Sequence, residues 1–368
     1  RMADKVLRMT RRIGTHNGTF HCDEALACFM LRLTPEFANA DVTRSRDPKV
    51  LEPLDIVVDV GGVYDPATNR FDHHQRDFAH TLPGFTTKLS SAGLIYKHFG
   101  HAILQRLLPD ASTDALDTVY HRVYTNFIEE IDAVDNGVNA YDGTPRYKVT
   151  STLGQRVGRL NPQWNQAGAD EQAAFTKAME MAGEEFLQAV HYAGNVWLPA
   201  RQIVAQALDN ASQIDASEEI IRLTQHAPWK EHLYQLEKER GIEGKIKYVL
   251  FPDQSAAWRV QCVSVHADSF ENRKSLLEAW RGVRDDALSQ LSGIEGCIFV
   301  HAGGFIGGAK TYPGTPHFHT HPRNIHRTHG RGLREGRGAG DGTQVARCLK
   351  RGVTEDPTDI QSCFSLKY

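Results

Sequence analysis

The chain has 368 residues, 40% of them hydrophobic and 24% charged, enough for two modest globular cores, and no apolar run nears the roughly 20 residues of a helical membrane span. Its net charge of -3 is uneven: from Ala309 onward ten Lys/Arg face five Asp/Glu, which leaves -8 on the residues before it. Such a body lacks the broad basic face of a general duplex binder, so any polyanion it handles must be met by bound cations or by a local basic groove.

Residues 1–11 form a basic arm in which Asp4 is the only acid, expected either as the end of a mitochondrial presequence or as a solvated extension. Ile13-Gly14-Thr15-His16 reads as a short strand running into a loop. Asp23 to Leu33 has helical apolar spacing (Ala25, Leu26, Phe29, Met30, Leu33), and Asp23-Glu24 suit the positive end of its dipole. Asp41 to Arg44 is a strand candidate. Leu54 to Val60 is the clearest strand, an apolar run typical of a buried parallel sheet, ended by Gly61-Gly62. Ser90 to Leu108 and Asp114 to Asp135 are long helices. This alternation predicts an α/β protein with an open, mostly parallel sheet, in which ligands bind beyond the carboxyl ends of strands. His16, Asp59 and Asp72 are expected there.

From Asp170 to Leu208 the pattern is helical, with a break predicted near Trp197-Leu198-Pro199. The expected division is a catalytic domain over 12–195, a helical connector over 196–230 and a smaller α+β domain over 231–308. The second domain carries strands at Lys247 to Phe251, Trp258 to Val265 and Gly296 to His301, and a helix near Leu276 to Leu291. Residues 309–368 are rich in Gly, Arg, His and Thr and lack amphipathic periodicity; they read as an unstructured tail, although His317, His319, His321, His326 and His329 could also bind metal. The six cysteines form no C-x-x-C pair and are expected as reduced thiols, with Cys22 packed and inert.

Four clusters carry potential chemistry: His16, His21 and Asp23 on a loop entering a helix; Asp59 at a strand end; Asp72-His73-His74 with Arg76; and Asp132 and Asp135 at a helix end, before Asn136-Gly137. Each alone has a bland reading: a helix cap, a strand-end residue, loop histidines, or a solvated helix face with an ordinary C-cap. Together they place carboxylates at converging element ends without lysine partners, where mutual repulsion calls for a cation. Mixed histidine and carboxylate ligands suit Mn²⁺, with Mg²⁺ or Fe²⁺ as alternatives.

The order of these motifs resembles the DHH phosphoesterase superfamily, and more closely the melanocyte proliferating gene family, a related group regarded as 3′-to-5′ RNA exonucleases. The similar stretches are GTHNGTFHCDEALAC between Ile13 and Phe29, IVVDVGG between Asp55 and Val63, DHHQR between Phe71 and Asp77, KLSSAGLIY between Thr87 and Lys97, and DNG between Val134 and Val138. Three more are WKEHLY between Pro228 and Gln235, RVQCV between Trp258 and Ser264, and CIFVHAGGFIGG between Gly296 and Ala309. From Thr311 the chain departs from the family, which usually continues with a further helical segment.

The resemblance implies a DHH-type parallel-sheet N-terminal domain and a two-metal phosphodiester hydrolase acting on single-stranded RNA or short oligonucleotides in nucleus and mitochondrion, without a membrane partner. It implies two Mn²⁺ (or Mg²⁺), with His16, His21 and Asp59 on one, and Asp23, Asp59, His73 and Asp135 on the other. Asp59 would bridge, Asp72 would orient or supplement the first histidine of its motif, and His74 would face substrate phosphate; these three are the catalytic candidates. His21 stands where the broader superfamily more often has a carboxylate. Arg76, Arg259, His301, Gly303 and Gly304 would hold substrate, the glycines through backbone amides. Trp229 reads as a core residue, with base stacking the alternative. Competing functions are a small-nucleotide phosphatase or pyrophosphatase, and a non-catalytic metal-binding regulator.

Overall fold

The computed structural model describes residues 10–312; most of the expected arm, the tail histidines, Cys348 and Cys363 lie outside the described residues. Two compact units part between Leu198 and Pro199.

The first unit runs β1 (Arg12–Thr15), α1 (Cys22–Arg32), β2 (Asp41–Arg44), α2 (Pro48–Leu51), β3 (Ile56–Val58), β4 (Tyr64–Asp65), β5 (Arg70–Phe71), α3 (Ser91–Leu107), α4 (Thr113–Val123), α5 (Glu129–Asp135), α6 (Leu153–Gly158) and α7 (Glu171–His191). Its sheet has the order β2-β1-β3-β5-β4. The first four strands are parallel, and β4 returns antiparallel at the edge. The apolar run at 56–58 reflects cover on both faces: Ile56 and Val58 enter the main core with Ile13, while Val57 packs with Leu51 and Leu54 on the other side. Helices α1 and α7 pack closely because Gly183 leaves room for Phe29; a Cβ there would lie 2.2 Å from the ring.

The helix expected over 114–135 contains a π turn at Tyr124–Ile128 that joins α4 to α5. The extra residue rotates the face that follows. Asp132 is thereby fully buried: its Oδ1 accepts from the Ser90 amide (2.9 Å), the Ser90 hydroxyl (2.7 Å) and the Gly93 amide (3.0 Å), and its Oδ2 from the Tyr124 hydroxyl (2.9 Å). It ties α5 to the start of α3. Gly93 permits this approach, since a Cβ would come within 2.3 Å of the carboxylate.

A second π turn, Tyr192–Trp197, stands where a helix break was predicted, and the helix continues as α8 (Leu198–Asp209). Pro199 stands just past this π turn, inside the continuous helical run. The Arg122 guanidinium lies over the Trp197 ring, 3.9 Å from its centroid.

The second unit continues with α9 (Ala211–Ile214), β6 (Ile220–Arg222), α10 (Lys230–Arg240), β7 (Tyr248–Pro252), β8 (Trp258–Cys262), α11 (Asp285–Ser292), β9 (Cys297–Val300) and β10 (Ile306–Ala309). Its sheet order is β6-β7-β8-β10-β9, with only β6 and β7 parallel. One face packs Ile221, Val249 and Phe251 against α8 and α10; the other buries Leu250, Cys262 and Val300 with Trp280 and Leu288. Strand β6 falls inside the span expected as a helical connector: Ile220-Ile221 is too short a run to announce a strand, but both side chains are buried. Trp229, 4% exposed, sits in the core as expected. The residues from Ala309 were expected to open the tail, yet Ala309 ends β10 and the Tyr312 ring lies 4.6 Å from that of Trp258. The architecture is α/β with two mixed sheets.

Candidate metal centre

Three adjacent parallel strands each deliver a side chain just past their carboxyl ends: His16 after β1, Asp59 after β3, and Asp72-His73 after β5. The amino end of α1 adds His21, Asp23 and Glu24, and the last residue of α5 adds Asp135. Asp59 adopts a left-handed backbone (φ 57°), a conformation uncommon outside glycine and one associated with functional sites. The Ser91 hydroxyl, 3.1 Å from Asp59 Oδ1, orients its carboxylate.

His16 is buried. Its Nδ1 lies 3.1 Å from the Asn17 carbonyl, which can only accept, so Nδ1 carries the hydrogen. The Nε2 lone pair then faces Glu24 Oε1 at 3.1 Å and Asp59 Oδ2 at 3.3 Å. Three acceptors cannot face one another unless a proton or a metal cation lies among them. Burial lowers the His16 pKa, but hydrogen bonds to Asp59 and Glu24 more than offset it and lift it to about 10. Burial likewise disfavours the Asp59 anion, yet His16 and His73 hold its pKa well below the ordinary carboxylate range.

His73 repeats the pattern. Its Nε2 is 3.2 Å from Asp59 Oδ1, 3.1 Å from Asp135 Oδ2 and 3.9 Å from Asp23 Oδ2. Burial lowers its pKa, but Asp135 and Asp59 raise it to about 9. Asp23 is fully buried and its Oδ1 has no hydrogen-bond partner. Burial, then repulsion from Asp59, Asp135 and Glu24, pushes its pKa well up. Buried carboxylates left unpaired among like charges are strongly unfavourable, and a divalent cation removes that cost.

Three sets of ligand atoms converge, each within 4.8 Å: His16, His21, Glu24 and Asp59; Asp59, His73 and His74; and His21, Asp23 and Asp135. Asp59 belongs to the first two, while Asp23 and Asp135 fall in a set without it. Glu24 is the addition that sequence reasoning missed. Its position in the first helical turn had an ordinary explanation, and it does accept from the His21 amide at 2.9 and 3.0 Å. That same bond holds it, fully buried, against His16.

Asp72 was expected as a ligand, and its atoms are not among the converging sets. Its Oδ2 accepts from the Gly62 amide (2.6 Å), and its Oδ1 from the His74 amide (3.1 Å) and His74 Nδ1 (2.7 Å). Asp72 therefore orients the second histidine of its motif. His74 is largely exposed, with Nδ1 carrying the hydrogen given to Asp72. Arg76 is exposed in the same loop. Cys22 is buried, and burial raises its thiol pKa far above neutrality, as fits an inert packed side chain.

The expected substrate clamp in the second unit is largely engaged with itself. The Gly303 amide donates to His301 Nδ1 (3.0 Å) and the Gly304 amide to the His301 carbonyl (2.8 Å), closing a tight turn between β9 and β10 around a Gly304 at φ 66°. Both amides are spent on that turn. Arg259 pairs with Asp253 and lies over the Phe299 ring, 5.6 Å from its centroid.

The nitrogen and oxygen donors at the carboxyl ends of β1, β3 and β5 define an α/β protein with a buried histidine–carboxylate centre fit for divalent cations. Comparison with known proteins carries this further. The family model MYG1_exonuc, described as "Uncharacterised protein family (UPF0160)", matches residues 12–319. The chain is 56% identical over 312 residues to the MYG1 exonuclease of Bos taurus, covering 82% of each. It is 54% identical over 312 residues to that of Homo sapiens, covering 82% of this chain and 83% of the relative. The MYG1 protein of Dictyostelium discoideum is 48% identical over 307 residues, covering 82% and 93%. The chain belongs to the MYG1 family.

Proposed function

We propose that this chain is a metal-dependent exonuclease that shortens single-stranded RNA from its 3′ end, built on a DHH-type phosphoesterase centre. The observation that carries the reading is the convergence of His16, Glu24 and His73 on Asp59, with Asp23 and Asp135 against His73, in a family with relatives named exonucleases. His16, His21, Glu24 and Asp59 would hold one divalent cation, and Asp59, His73, Asp23 and Asp135 a second. Mn²⁺ suits this donor set best, with Mg²⁺ the alternative. Bound there, such cations supply Lewis-acid charge against phosphoryl oxygens and a water acidic enough to attack near neutral pH.

The remaining roles belong to the chain itself. Asp59, fixed by its backbone and by Ser91, spans both ligand sets. Asp72 holds His74 by its Nδ1, leaving Nε2 to carry a proton to the leaving oxygen of the scissile bond. Arg76, exposed beside it, offers charge to a phosphate. No Ser or Cys nucleophile is required.

The test is hydrolysis of 5′-labelled single-stranded RNA with Mn²⁺, beside Asp59→Asn. A ladder shortening from the 3′ end that is absent in the variant is expected. No cleavage by metal-loaded wild type would overturn the exonuclease reading and direct attention to pyrophosphate and mononucleotides.

A further inference from the structure

The segment between α5 and α7 carries a chemistry that the metal centre does not use. From Gly143 to Ala169 there is no acidic residue, and four basic ones occur, in a body whose net charge is negative. Large aromatic side chains stand out here: Trp164 is 96% exposed and Tyr147 77%, and Tyr141, just before this stretch and beside Asp142, is 51% exposed. A single exposed aromatic is ordinary, but several on one segment beside cations call for an explanation. Arg156 is occupied by Glu185, and Arg159 donates to the Thr150 carbonyl at 2.8 Å. Arg146 and Lys148, which flank Tyr147, form no side-chain hydrogen bond or ion pair among the described residues.

The segment is held at two points next to residues of the metal centre. It begins directly after Asp135, where Asn136 donates to the Lys88 carbonyl at 2.9 Å. It returns at Asn161, whose side chain clasps the Phe20 backbone twice: its Oδ1 accepts from the Phe20 amide at 2.9 Å, and its Nδ2 donates to the Phe20 carbonyl at 2.9 Å. Phe20 directly precedes His21. Trp164 lies three residues past Asn161, so chain reach keeps it within about 11 Å of that clasp. Tyr141 is six residues past Asp135, within about 21 Å.

We infer that this segment is a strip for single-stranded nucleic acid, with Trp164 stacking a base a few nucleotides from the reacting phosphate and Arg146 and Lys148 meeting the backbone beside Tyr147. Exposed aromatics interleaved with unpaired cations are what sequence-tolerant single-strand binding requires: π faces take any base, and cations take the phosphates. The position explains how an acidic body holds a polyanion without a broad basic face. This inference rests on the exonuclease reading for the identity of the strand.

The test uses the full chain and Trp164→Ala, an exposed position at which the melting temperature is expected to hold. Binding of fluorescein-labelled U12 RNA is followed by anisotropy in EDTA, and hydrolysis of both U12 and bis(p-nitrophenyl) phosphate with Mn²⁺. The variant is expected to weaken U12 binding about tenfold or more, the ~1.4 kcal/mol or more of one lost stack, while its rate on the small diester stays within about twofold. Arg146→Ala/Lys148→Ala should lower the salt dependence of binding. If wild type binds and shortens U12 and Trp164→Ala does both equally well, this inference alone is overturned. If wild type neither binds nor shortens U12, the exonuclease reading falls and takes the strip with it.

Discussion

Asp132 gives the sharpest quantitative prediction, because it is ionisable, fully buried and outside the ligand sets. Burial raises its pKa, and hydrogen bonds from Ser90, Tyr124 and Gly93 offset only part of that; the result is about 7 against an ordinary 3.8. A rise of that size corresponds to about 4 kcal/mol between its two protonation states, at 1.36 kcal/mol per unit. The folded state holds the proton more tightly than the unfolded chain does. Asp132 therefore lowers stability as pH climbs from about 4 to about 7, after which its effect levels off. Asparagine is nearly isosteric and neutral throughout. Its Oδ1 can still accept from Ser90 and Gly93, and its amide can donate to Tyr124. Urea unfolding of wild type and Asp132→Asn, in EDTA at several pH values from 4.5 to 8, isolates the effect, since every other group is common to both. The variant should gain on wild type by about 3 kcal/mol between pH 4.5 and about 7, and little more above that. A stability difference that stayed constant across that range would refute the argument.

Two further outcomes follow from the packing and the ligand geometry. Gly183→Ala forces a methyl into the Phe29 ring and should cost about 1–3 kcal/mol, read as a lowered melting temperature; an unchanged melt would mean that α1 and α7 have slack. Glu24→Gln keeps an acceptor for the His21 amide but removes a charge from His16. It should lower the His16 pKa from about 10 in the metal-free protein, read by NMR titration, and weaken Mn²⁺ binding by at least the ~10-fold typical of losing an outer-shell partner. Unchanged values would remove Glu24 from the centre.

Much of this was legible in the sequence where a single physical cause dominated. The strand before Asp59 announced itself because burial on both faces demands an unbroken apolar run. His16, Asp59 and the Asp72-His73 pair fell at strand ends because open α/β sheets place ligands there. What could not be read were features decided by tertiary contact. Glu24 has one role in a helix cap and another against His16, and only the fold shows the second. The π turns at Tyr124–Ile128 and Tyr192–Trp197 shift a helix face without a compositional mark. Asp72 resembled a ligand until its oxygens were found on Gly62 and His74. The glycines at 303–304 promised open amides, yet a turn that short closes on its own histidine. Trp164 stood alone in a polar stretch, and its link to the centre depends on Asn161 reaching Phe20 across 141 positions.

The proposed chemistry requires the buried cluster to be a two-cation site joined through Asp59. Manganese stoichiometry tests this most directly: calorimetric titration of EDTA-stripped protein, with bound metal counted by elemental analysis, for wild type and Asp59→Asn. Two Mn²⁺ per chain are expected in the wild type, and one or none, bound more weakly, in the variant. A wild type that takes up no Mn²⁺, or a variant that retains both sites at full affinity, would contradict that chemistry.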